Sequence, residues 1–81
     1  MAYNNMTEME WLRQFSQRLK EEMEGCCMTQ SELAHEAGIS QSAISQYLNA
    51  QRLPSIKSIN NICYALGIDM DSLANFGKWI E

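Results

Sequence analysis

Apolar residues recur every three or four positions along most of the chain, and no stretch sustains apolar–polar alternation. That period predicts helices and no strands. Leu12, Phe15, Leu19 and Met23 share one helical face, with Trp11 beside it. They predict a first helix over residues 7–24, opened by a Thr7–Glu10 capping box and closed by Gly25. Leu33, Ala34 and Ala37 mark a second helix, with Thr29 and Glu32 as its capping box and Gly38, cheaply left-handed, at its end. Ser40 caps a third helix whose inner face is Ile44 and Leu48. A polar loop follows from Asn49 to Pro54, and Pro54 suits the first turn of the next helix. That fourth helix, residues 55–66, presents Ile56, Ile59, Ile62, Cys63 and Leu66 inward and stops at Gly67. A short fifth helix from Asp71 to about Phe76 turns Leu73 and Phe76 inward, and Gly77 breaks it. The expectation is an all-α domain over residues 7–76, with five helices around one core, a tail at 1–6 and a second tail at 77–81.

The joint spacing of Ala34, Gly38 and Ile44 sharpens the centre of this pattern. Two helices crossing steeply over a short turn bring their backbones close. Ala34 supplies a small residue at the crossing, Gly38 the turn, and Ile44 a branched plug in the corner. The stretch Thr29 to Leu48 therefore predicts a helix-turn-helix.

Composition narrows the function. The 81 residues are 46% hydrophobic, a normal fraction for a folded globule. No run approaches the roughly 18 apolar residues needed to span a bilayer. The first residues lack a basic cluster followed by an apolar core, so no secretory signal is expected and the location expected is cytoplasmic. Cys26, Cys27 and Cys63 are odd in number and show no C-x-x-C spacing. No disulfide framework and no metal site are expected, only reduced cysteines acting as small hydrophobes. With His35 as the single histidine and no paired carboxylates in a plausible pocket, no enzyme and no cofactor are expected either.

The net charge of −4 weighs against nucleic-acid binding, because phosphate neutralisation favours basic proteins. Its distribution tempers that. Between Gly25 and Ile68 only Glu32 and Glu36 are acidic, and Arg52 and Lys57 balance them; the excess acid lies at the two ends of the chain.

With loop and fourth helix in place, residues 28–75 resemble the phage repressor-like helix-turn-helix family, the Cro/Xre group of regulators. The resemblance rests on Gln30, Leu33-Ala34, Gly38, Ile39-Ser40, Pro54 and Ala65-Leu66-Gly67. It implies a lambda-repressor-like fold and a sequence-specific DNA-binding regulator, a repressor binding a palindromic operator as a dimer. One departure stands out. Leu48 takes a place that is often Glu in relatives, where it pairs with a basic residue on the first helix; here the facing position is Met23. A buried ion pair becomes an apolar contact, an exchange that is often neutral or stabilising. Ala50 stands where relatives often carry Gly.

In this geometry the second helix of the motif enters the major groove. Gln41, Ser42, Ala43, Ser45 and Gln46 are the expected base readers, led by Gln41 and Gln46, since Gln can pair bidentately with adenine and Ala can touch a thymine methyl. Gln30, Asn49, Gln51, Arg52 and Lys57 are the expected phosphate contacts. Tyr47 is expected to pack against the core, and His35 to lie on the surface. The expected dimer surface is Ile68, Met70, Leu73, Phe76, Trp79 and Ile80, with the alternative that the last two fold back near Trp11. Partners are therefore double-stranded DNA and a second copy, with no membrane and no small-molecule ligand. The competing reading is a protein-interaction or antitoxin-like module of the same fold with weak or no DNA binding.

Overall fold

The computed structural model describes residues 7–74. Phe76, Trp79, Ile80 and both tails lie outside the described residues. The order is α1 (Glu8–Gly25), α2 (Gln30–Ala37), α3 (Gln41–Leu48), α4 (Ile56–Leu66) and α5 (Met70–Ala74). The chain is all-α, as the apolar period predicts.

The helix starts follow the capping residues. Thr7 and Thr29 each accept a bond from the backbone of the glutamate three residues on, and that glutamate reaches back to the threonine N–H at 2.9 Å. Ser40 and Ser55 cap α3 and α4 through the N–H groups of Ala43 and Ser58.

The helix ends share one device. The N–H groups of Met28, Ile39, Gln51 and Ile68 each bond to a carbonyl five residues back, at 2.8–3.0 Å. The residue before each donor is left-handed: Cys27 at φ +55, Gly38 at +67, Ala50 at +56 and Gly67 at +73. These are Schellman-type closures. Gly25, expected to close α1, is instead its last helical residue, and Cys27 makes the reversal. At Gly38 the need is conformational rather than steric, since a Cβ there would meet nothing within 4 Å.

One core joins all five helices. Phe15, Leu19, Leu33, Ile44, Ile62 and Leu73 are its fully buried members. α2 packs on α3 and α4, α1 on α3 and α5, and α4 on α5. Met23 and Leu48 are both buried in this core and line one cleft, consistent with the apolar exchange at those positions. Two expectations fail. Ile56 is 71% exposed, because it is the first residue of α4 and projects beyond the end of the core. Leu73 is 0% exposed, which agrees with its place on the inward face of α5 and removes it from the expected dimer surface, since it has no surface to offer a second copy.

Candidate nucleic-acid interface

α3 is held from behind by its aromatic residue. Tyr47 is buried, its ring meets Phe15 edge-on at 6.2 Å, and Phe15 in turn stacks on Trp11 at 5.3 Å. The Tyr47 hydroxyl is 3.2 Å from Ser58 Oγ on α4. Ser16 on α1 donates its hydroxyl proton to the Tyr47 carbonyl. α3 is thereby pinned to α1 and α4, which fixes the direction of its outer face.

That face carries Gln41 and Ser42, both exposed, and Ser45 and Gln46, both half-buried. Ala43 does not belong to it. At 6% exposure its methyl is part of the core, and its N–H is taken by the Ser40 cap at 3.1 Å. The inner stripe of α3 is Ala43, Ile44, Tyr47 and Leu48, wider than Ile44 and Leu48 alone, because α1 and α2 both pack on this helix. Ala43 is thus removed from the expected base readers.

The flanking polar residues are placed as follows. Gln30 is the first residue of α2, where backbone N–H groups are free of helical partners. Gln51, Arg52 and Lys57 are exposed. Asn49 is exposed but turns its amide nitrogen back to the Ser45 carbonyl at 2.9 Å, so it caps its own helix. Arg52 reaches back to α3, its Nη1 3.3 Å from Gln46 Oε1. His35 is on the surface.

The fold also gathers cations that the linear reading missed. Arg13 and Lys20 of α1 line a polar cleft with Asn49 and Ala50 at the end of α3. Lys20 lines the neighbouring cleft with Gln30 as well. Lys20 therefore lies beside two of the expected phosphate contacts, Gln30 and Asn49, although it precedes Gln30 by ten residues in sequence. Glu24 lines the second cleft too and weakens its positive field. A polar residue on the exposed side of a long amphipathic helix carries no signal of this role until α1 is docked.

Among the described residues no group of three or more His, Cys, Asp or Glu could hold a metal ion. No helix among them is long and apolar enough to cross a membrane.

Two capped helices at a left-handed glycine turn, the second anchored through its inner stripe and polar outside, define a helix-turn-helix protein. The sequence matches the HTH_3 helix-turn-helix family over residues 19–73, and the chain belongs to that family. It is a DNA-binding transcriptional regulator. Among solved structures, the restriction-modification controller protein C.AhdI from Aeromonas hydrophila is 31% identical, with a TM-score of 0.75 over 76% of this chain and 94% of that one. A point variant of the restriction-modification controller protein C.Esp1396I is 25% identical, with a TM-score of 0.71 over 79% of this chain and 78% of that one. An HTH_3 family transcriptional regulator from Vibrio cholerae, 19% identical, shares the fold with a TM-score of 0.82 over 89% of this chain and 41% of its own. No curated protein matches the sequence.

Proposed function

We propose that the protein binds a palindromic operator as a homodimer and regulates transcription from it, with α3 in the major groove. Gln41, Ser42, Ser45 and Gln46 read bases. Gln30, Gln51 and Lys57, joined by Lys20 and Arg13, meet phosphates, and Arg52 flanks Gln46 at the edge of the reading face. The observation that carries this reading is the outer face of α3, polar and held in place from behind by Tyr47. The likeness to C.AhdI over 94% of that chain supports a small controller of the restriction-modification type. Repression is the outcome where that operator overlaps the promoter, because a bound dimer excludes polymerase.

A single motif reads half a site, and a two-fold dimer reads two half-sites about 34 Å apart, one turn of DNA. The dimer surface we assign starts from Ile68 and Met70, which are half-buried, and the neighbouring Tyr64, which is 88% exposed. Leu73 drops out of it as a core residue. Phe76, Trp79 and Ile80 extend the assignment outside the described residues.

Selection of bound duplexes from a random pool tests the proposal. Enrichment of an inverted repeat with half-sites one helical turn apart is expected. Enrichment of no sequence would instead favour a protein-interaction module of the same fold.

A further inference from the structure

The 3.3 Å contact between Arg52 and Gln46 fixes more than a loop. A guanidinium has five N–H donors and no acceptor. The atom of Gln46 facing it must therefore be the amide oxygen, and the amide nitrogen points away. The orientation of a glutamine amide is ordinarily free; here chemistry allows one choice. Gln46 lies half-buried on the reading face of α3, and Arg52 lies exposed in the loop six residues later.

We propose that Arg52 and Gln46 act as one composite base reader whose outward groups are mainly donors and which selects guanine, resting on the assignment of α3 to the major groove. A lone glutamine suits adenine, because its oxygen accepts from N6 while its nitrogen donates to N7. With Arg52 on the oxygen, that acceptor is partly used, and the adjacent cation repels a second donor such as the adenine N6 amino group. The outward amide N–H and the remaining guanidinium N–H groups match the two acceptors of guanine, O6 and N7. Arg52 thereby sets specificity, a role different from the phosphate contact expected of a loop arginine.

The test compares selected sites for the wild-type chain and for Gln46→Ala, Arg52→Ala and Arg52→Lys. The position read by Gln46 is the one whose preference disappears in Gln46→Ala. Guanine is expected there for the wild type. In Arg52→Ala the freed amide should turn that preference toward adenine, with a loss of about tenfold or more in guanine-over-adenine discrimination. Arg52→Lys, which keeps the charge but loses the planar fork, should fall between. The inference is overturned if the wild type prefers adenine at that position, if no position loses its preference in Gln46→Ala, or if Arg52→Ala weakens binding equally for all sequences. Arg52 is exposed, so these variants fold, and circular dichroism checks it. Enrichment of no sequence by the wild type would overturn the proposed function, and this inference with it; the other outcomes overturn the inference alone.

Discussion

Ala50, like Cys27, is a residue at which sequence and backbone disagree. It adopts φ +56 to close α3, a conformation that costs a residue with a Cβ about 1–2 kcal/mol. Ala50→Gly should therefore stabilise the fold by about 0.5–1 kcal/mol, after the larger chain entropy of glycine is deducted. Chemical denaturation checks this, and a loss of stability would show that the methyl's packing against the core outweighs the strain. The cysteines separate by environment. Cys26 and Cys27 are exposed and Cys63 is buried; burial first, and then the charges of Asp69 and Glu22, push the Cys63 thiol above its ordinary value. A thiol reagent at neutral pH should label Cys26 and Cys27 quickly and Cys63 only after denaturation. Equal rates at all three positions would contradict this placement. The residues misread from sequence share a cause. Periodicity gives an angle around a helix axis, and neither the position along the axis nor the number of neighbours. Ile56 has the right angle but lies past the end of the core, and Ala43, read as facing outward, is buried on a helix that both α1 and α2 pack against.

At the scale of elements, the starts were legible because Thr7, Thr29, Ser40 and Ser55 carry their own acceptors. The ends were half legible. Gly38 and Gly67 announce the left-handed closure, whereas Cys27 and Ala50 adopt it under the pull of the same carbonyl five residues back, with no residue type to reveal it. The start of α5 was also missed. Asp69 caps it, its Oδ1 accepting from the Ser72 N–H at 3.0 Å and the Ser72 hydroxyl at 2.9 Å. The Ser72 carbonyl, in turn, receives Arg18 of α1 at 2.6 Å. The backbone and side-chain bonds from Ser72 hold the Asp69 carboxyl below its ordinary value of 3.8. A group whose value is lowered by folding stabilises the fold fully above its unfolded value and loses that contribution as pH falls through the folded one. The docking of α5 should then weaken below about pH 4. Amide exchange at Ser72 and Leu73 measures it. A fall in protection, measured against the exchange rate of the unstructured chain at the same pH, is expected for the wild type on acidification, and a flatter response for Asp69→Asn, which keeps a cap but cannot ionise. Identical pH profiles for the two would show that Asp69 does not hold α5.

For the whole molecule the question is how a chain of net charge −4 meets a polyanion. Folding answers in part, by bringing Arg13 and Lys20 of α1 beside the end of α3, on the side of the motif where Gln30 also lies. Lys20→Ala should weaken binding about equally for every sequence and lower the slope of log K against log salt by about 0.9 per site. A change in sequence preference would place Lys20 on a base instead. The central claim is that the outer face of α3, with Gln30 and Arg52 at its edges, is the surface that meets DNA. Titration of 15N-labelled protein with its selected duplex, followed by backbone and side-chain amide shifts, tests it most directly. The account predicts the largest changes at Gln30, Gln41, Ser42, Ser45, Gln46 and Arg52, with small ones at Tyr64. Changes concentrated on α4 and α5, with α3 unmoved, would contradict it.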